Sequence, residues 1–327
     1  MIYLVQNIHP EGVRLLEEKG LTIKVGDTLS EKEILAGAKN AEAIIIRSQG
    51  KLTSNIIENI PTLKCIGRYG TGVDNVDVET ANRLRIPIVY APGINAIAVA
   101  EHVLMLILAL NRKLAHLDAG IRQGKWEELR SMEFHSLSKK VVGIIGVGAI
   151  GIQVAKLASA FGTRILGFDP NVEEMKMRNS GITPTNFEEL LAESDIVTVH
   201  IPLNAKTRNL LGEKEIGLMK KGTILINTAR GGIVDESALA RALKENRLSG
   251  AGLDVFKEEP VGMENDLLKI NNTLVTPHSA GLTSEVLREL SVTVCEDVLR
   301  VLEGKKAHNI FNYAALTKGG PQIWPKK

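Results

Sequence analysis

The chain has 327 residues, 44 % hydrophobic and 24 % charged, a globular composition that excludes a disordered protein. That length exceeds what one hydrophobic core usually serves, so two domains are expected. With 40 Lys and Arg against 38 Asp and Glu the net charge is +2, which gives no electrostatic reason for a nucleic-acid or anionic-membrane partner. The two cysteines, Cys65 and Cys295, are too few and too far apart for a disulfide framework and read as buried thiols.

Residues 1–7 read as a strand running into a helix-like stretch, without the charged, apolar and cleavage regions of a signal peptide; the expectation is a cytoplasmic protein whose mature chain starts here. Short β-branched runs at 2–5, 21–25, 43–47, 63–67 and 86–90 alternate with amphipathic stretches, the pattern of a small parallel sheet with helices on both faces. The apolar run 96–110 is interrupted by Glu101 and His102 and falls short of the roughly 20 residues that span a bilayer, so it reads as a buried helix and no membrane association is expected. Periodicity without proline over 101–123 predicts one long helix into a second domain. There, strands are predicted at 141–146, 164–168, 196–200, 223–227, 252–255 and 273–275, the six of a full dinucleotide-binding sheet. The helix predicted over 283–302 then returns the chain to the first domain, which is discontinuous: 1–100 and 286–327 around an inserted 101–285. Residues 318–327, with Gly319, Gly320, Pro321 and Pro325, read as a terminal arm. The fold class is α/β.

Gly146, Gly148 and Gly151 form G-x-G-x-x-G between a predicted strand and a predicted helix. The first glycine permits the tight turn, the second lets backbone approach a pyrophosphate, and the third allows close helix packing, with Ala149 and Ile150 completing a helix N-terminus that faces the phosphates. Asp169 ends the following strand about 20 residues on, where a carboxylate accepts from the ribose hydroxyls and repels a 2′-phosphate. The cofactor read from these residues is NAD. A glycine-rich turn followed by a chance surface aspartate would not need the strand and helix that flank this motif.

Hydride transfer leaves an alkoxide, so a proton donor, a carboxylate anchor and a group that tunes the donor are required. Arg230, the pair Glu258 and Glu259, and His278 follow the fourth, fifth and sixth predicted strands, at the carboxyl edge where ligands bind an open α/β sheet. An arginine fork suits a planar carboxylate, and a carboxylate beside histidine favours the imidazolium. On chemistry alone either Glu258 or Glu259 serves. No set of His, Cys, Asp and Glu shows metal-ligand spacing, so no metal is expected.

The order Arg, Glu, His resembles the D-isomer-specific 2-hydroxyacid dehydrogenase family, together with the segments 67–77 (GRYGTGVDNVD), Ala100-Glu101-His102, Gly124-Lys125-Trp126, His200-Ile201-Pro202-Leu203 and 229–236 (ARGGIVDE), spread over nearly the whole chain. The resemblance implies two doubly wound parallel-sheet domains, a Rossmann NAD-binding domain inserted into a discontinuous flavodoxin-like substrate-binding domain. It implies His278 as acid/base, Glu259 rather than Glu258 as the holder of its ring, and Arg230 as the substrate clamp. It places His200, Pro202, Thr207, Thr228, Ala229 and Ala280 near the cofactor and Asp254 against its carboxamide. Ser48, the amides of Gly70, Thr71 and Gly72, and Asn95 are implied on the substrate side. A homodimer is implied, with the helix after Ala96 and the Trp126 region in contact. His102 reads as a packed structural residue. The chain departs from the family where Ala149 replaces a common arginine and where Ser279-Ala280 follow the histidine in place of glycine-rich residues.

Within the family, Arg47-Ser48, Lys51 and 67–77 look most like the D-3-phosphoglycerate dehydrogenase branch, where Arg47 and Arg68 would face a substrate phosphate. As a strand-end charge and a carboxylate partner the same two arginines would leave hydroxypyruvate or glyoxylate reduction. A reading from another class is an NADH-sensing, corepressor-like binding protein, against which the absence of a basic tail or low-complexity arm speaks.

Overall fold

The computed structural model describes residues 1–318, so the arm expected beyond Lys318 lies outside the described residues. The chain divides into two compact units, Met1–Asn95 with the chain from Leu282 on, and Ala96–Gly281. Both divisions precede those expected, because the helix Ala96–Asn111 lies wholly with the second unit and the helix Ser284–Leu302 wholly with the first.

In the first unit, β1 (Ile2–Leu4), β2 (Ile23–Val25), β3 (Ala43–Ile46), β4 (Cys65–Arg68) and β5 (Ile88–Val89) pair in parallel in the order β2-β1-β3-β4-β5. This is the flavodoxin-like order. β3 is buried at every residue, which is why it reads as an unbroken apolar run. The helix Pro10–Glu18 begins with proline at its first turn and takes His9 as its cap, the ring Nδ1 accepting from the Glu11 amide. It packs on Ser284–Leu302, and a side chain at Gly12 would overlap Ser291. That long helix also lies on β4, where Val294 and Val298 abut Gly67. Cys65 and Cys295 are buried free thiols.

In the second unit, β6 (Val141–Ile145), β7 (Arg164–Phe168), β8 (Thr183–Pro184), β9 (Ile196–Val199), β10 (Thr223–Asn227), β11 (Leu248–Leu253) and β12 (Thr273–Val275) form one parallel sheet, ordered β12-β11-β10-β9-β6-β7-β8. It is the Rossmann arrangement with one edge strand more than expected, since a two-residue strand ending in proline carries no periodic signal. Alternation along β10 sends Ile224 and Ile226 into the core under the helices Ala96–Asn111 and Ala149–Ser159, and Leu225 into the core under Phe187–Glu193 and Glu236–Lys244.

Two sequence expectations are corrected. β11 spans Leu248–Leu253, not 252–255; its Ser249, Gly250 and Gly252 read as a turn, but a Cβ at Gly252 would lie 2.8 Å from Ile226 Cδ1 and 3.1 Å from Leu106 Cβ. The small residues are demanded by helix and strand packing. The single helix expected over 101–123 is two, Ala96–Asn111 and Leu114–Arg122, broken where Lys113 turns left-handed at φ 53°. No glycine or proline marks that break. Among the described residues no helix is long and apolar enough to cross a membrane.

Candidate active site

The glycine loop runs from the end of β6 into the helix Ala149–Ser159, whose cap is Gly148. Gly146 holds φ 96°, and a Cβ there would lie 2.5 Å from the His200 carbonyl oxygen; one at Gly151 would overlap Gly146 itself. Nothing lies within 4 Å of a Cβ at Gly148, so its backbone and the exposed Ala149 leave the helix N-terminus open to an anion. Asp169, half-buried past the end of β7, braces this loop by accepting from the Val147 amide at 3.0 Å and the Asn171 amide at 2.9 Å.

At the ends of the adjacent β9 and β10, two polar atoms are buried without a partner, His200 Nδ1 and Thr228 Oγ1. Leaving such an atom unsatisfied costs about 1–3 kcal/mol, so both fit a ligand that completes them. Burial pushes the His200 ring down to about 3, which keeps it neutral beside Thr198 Oγ1, 3.0 Å from its Nε2. Two other residues expected at the cofactor carry internal bonds. The Thr207 hydroxyl donates to the Pro202 carbonyl at 2.7 Å and accepts from the Asn204 amide at 2.8 Å, closing its own exposed turn. Ala280 is buried and its amide donates to Asp254 at 2.8 Å.

The three residues expected to carry the reaction leave β10, β11 and β12, neighbours in the sheet. Asn227 shapes the first loop: its amide donates to the Arg230 carbonyl at 2.9 Å and its oxygen accepts from the Ala229 amide at 3.1 Å. The Arg230 guanidinium donates to the Ala229 carbonyl at 2.7 Å. A Cβ at Gly231 would overlap the Phe256 carbonyl, so glycine there lets the first loop lie on the second. In the second loop, Glu259 accepts from the Phe256 amide at 3.0 Å and from His278 Nδ1 at 2.8 Å. Burial alone would raise the Glu259 carboxyl; the hydrogen bonds from His278 and Phe256 and the charges of His278 and Arg230 outweigh it and hold the group below its ordinary value. A carboxylate only accepts, so Nδ1 of His278 carries hydrogen and Nε2 is left to take or give a proton.

Asp254, expected to face the carboxamide, is only 1 % exposed; its Oδ1 accepts from the Thr276 hydroxyl at 2.5 Å and the Ser279 amide at 2.8 Å, and its Oδ2 from Ala280. Its carbonyl takes the His278 amide at 2.8 Å. Asp254 therefore holds the turn on which His278 sits, and a cofactor contact would be an addition to that set. The roles of Thr276 and Asn227 have no signal in the sequence beyond their places beside His278 and Arg230.

In the other unit, Arg68 is buried at 9 % exposure and spent on structure, its Nε donating to Asn75 Oδ1 at 3.1 Å and its Nη1 to the Tyr69 carbonyl at 2.5 Å. Asn75 in turn donates to the carbonyls of Arg47 and Gly50. Arg68 thus supports the 70–72 turn from behind, and a phosphate contact would be an addition to these bonds. Arg47 lies over the Tyr69 ring at 5.3 Å and donates to the Asn7 carbonyl at 3.1 Å. Ser48 is exposed, Thr71, Gly72 and Asn95 are half-buried, and the Gly70 carbonyl accepts from Ala91 at 3.1 Å.

Concavity alone does not mark the chemistry. A cavity of about 560 Å³ lined by Lys113, His116, Lys140, Lys220 and Asn272 opens at the opposite, amino edge of the second sheet.

A family model for the D-isomer specific 2-hydroxyacid dehydrogenase NAD binding domain matches residues 104–280. The chain belongs to this family. Its glycine loop, Asp169 and the two orphaned polar atoms lie inside or beside that match, consistent with NAD as the cofactor of the domain. The chain is 37 % identical to D-3-phosphoglycerate dehydrogenase of Archaeoglobus fulgidus over 96 % of its own length and 60 % of that protein. It is 34 % identical to glyoxylate reductase of Aeropyrum pernix over 95 % of both chains. D-lactate dehydrogenase of Aquifex aeolicus, solved with NAD and lactic acid, superposes with a TM-score of 0.81 at 28 % identity, covering 99 % of both chains. The chain spans 56–60 % of the length of three of the curated D-3-phosphoglycerate dehydrogenases it matches.

Proposed function

We propose that this chain is an NAD-dependent D-2-hydroxyacid dehydrogenase that interconverts a small 2-hydroxy acid and its 2-oxo acid, with 3-phosphoglycerate and 3-phosphohydroxypyruvate as the preferred pair. The observation that carries the activity is the 2.8 Å bond between His278 Nδ1 and Glu259, on loops that leave neighbouring strands beside Arg230. When bound, the nicotinamide supplies or accepts the hydride at C2. During reduction His278 Nε2 gives its proton to the carbonyl oxygen, and Glu259 supports the imidazolium beforehand. During oxidation the neutral Nε2 takes the hydroxyl proton. Arg230 anchors the substrate carboxylate bidentately.

The phosphorylated substrate is supported by the similarity to curated D-3-phosphoglycerate dehydrogenases and by the two basic residues Arg47 and Arg68. The internal bonds that both arginines make, together with the similarity to a glyoxylate reductase, favour hydroxypyruvate or glyoxylate reduction as the second reading. NADH absorbance with purified protein and 3-phosphohydroxypyruvate, hydroxypyruvate, glyoxylate and pyruvate decides between them, with NADPH as control. Turnover confined to unphosphorylated acids overturns the substrate; no turnover with any acid overturns the activity and favours an NADH sensor. The proposal includes a cytoplasmic homodimer in contact along Ala96–Asn111 and around Trp126, a stretch that exposes Ile97, Met105, Ile121 and Trp126. Sedimentation at micromolar concentration tests it, a monomer being the contrary result.

A further inference from the structure

We propose that His102 is a positioning residue that acts through Thr276 and Asp254 on the turn carrying His278; its effect on rate rests on the activity proposed above. His102 belongs to the helix Ala96–Asn111, and its side chain is 14 % exposed. Its Nε2 lies 3.0 Å from Thr276 Oγ1 and 3.9 Å from Asp254 Oδ1, and Thr276 Oγ1 lies 2.5 Å from the same Oδ1.

The protons of this chain are determined by valence. An ionised carboxylate only accepts, so the single hydroxyl proton of Thr276 goes to Asp254. The oxygen of Thr276 then accepts, and His102 Nε2 carries the hydrogen it accepts, whether the ring is neutral or charged. His102 thereby fixes the Thr276 rotor and polarises its hydroxyl toward a buried carboxylate, in a setting where consecutive hydrogen bonds strengthen one another.

Asp254 passes this on. Its side-chain oxygens hold the amides of Ser279 and Ala280 and its carbonyl holds that of His278, three consecutive residues bound by one. The grip is needed because His278 sits at φ 53°, a left-handed conformation that is strained for a residue with a side chain and persists only where its surroundings over-determine it. The same conformation aims Nδ1 at Glu259. A residue of the Ala100-Glu101-His102 segment is in this way tied to the reacting ring without touching it.

The test uses the full chain with His102→Leu, His102→Gln, Thr276→Val and the double variant His102→Leu/Thr276→Val. Three readouts are taken: kcat and KM with whichever acid the wild type reduces, amide hydrogen exchange at 278–280, and thermal melting. His102→Leu is expected to lower kcat about tenfold or more while the KM for NADH stays within about twofold, and to speed exchange at Ser279 and Ala280. His102→Gln, whose amide keeps a donor in place of Nε2, restores both. The double variant is no worse than Thr276→Val, because both changes cut one chain. A His102→Leu kcat within about twofold of wild type, failure of glutamine to restore it, or losses that multiply would each overturn the proposal. Should His102→Leu not fold, Thr276→Val against Thr276→Ser makes the same comparison. If the wild type reduces none of the acids, the activity reading fails, and exchange at 278–280 still decides the relay.

Discussion

At His278 the ring nitrogen facing Glu259 keeps its hydrogen in both protonation states, so the chemistry belongs to Nε2. Replacing His278 with alanine should lower kcat by about 10²–10⁴, the range for removing a general acid/base, with NADH binding retained in a fluorescence titration. Glu259→Gln removes the carboxylate that holds the His278 ring by Nδ1, so kcat should fall while NADH binding in the same titration is retained. Because the Glu259 carboxyl sits below its ordinary value, the stability from its ionised form is present above that value and is lost only as pH falls through the lower, folded one. His200 runs the other way in charge but not in slope. Its ring falls from 6.5 to about 3 on folding, so the unfolded chain binds the extra proton between those values and stability drops as pH falls through that window. Urea melts of His200→Asn should show a weaker loss between these limits than the wild type. Arg47→Ala should reduce preference for the phosphorylated acid in the substrate panel, and Arg68→Ala should in addition lower the melting temperature by releasing Asn75 and the 70–72 turn.

Among the elements, β11 teaches most about what a pattern hides. Leu248-Ser249-Gly250-Ala251-Gly252 has the composition of a turn, yet it is an inner strand because Leu106, Leu110 and Ile226 leave room for nothing larger. Gly252→Val should therefore destabilise by about 1–3 kcal/mol, seen as a lower urea midpoint without a change in slope. Continuous apolar strands such as β3 and β10 were readable because burial on both faces writes itself into local composition. The two-residue β8 and the break at Lys113 were not, since each depends on what packs nearby and neither carries glycine or a periodic run.

For the whole molecule, both thiols fall in the unit made of the two ends of the chain. Burial pushes Cys65 strongly up and Cys295 up to about 12, so neither should react with a thiol reagent at neutral pH until that unit unfolds. Labelling in increasing urea should show both appearing together; early labelling of either would mean its site opens locally. Read from residues alone, the chain yields the α/β class, the two parallel sheets, the return helix, the glycine loop and the order of Arg230, a carboxylate at 258–259 and His278, because each is written in local periodicity or in a motif whose spacing the chemistry requires; the family resemblance selects Glu259, the residue that bonds His278. Packing in three dimensions was needed to see that Arg68 supports a turn, that Asp254 grips the His278 loop, and that His102 reaches it through Thr276. A polar side chain's partners are set by residues brought from elsewhere in the chain, and no local pattern records them.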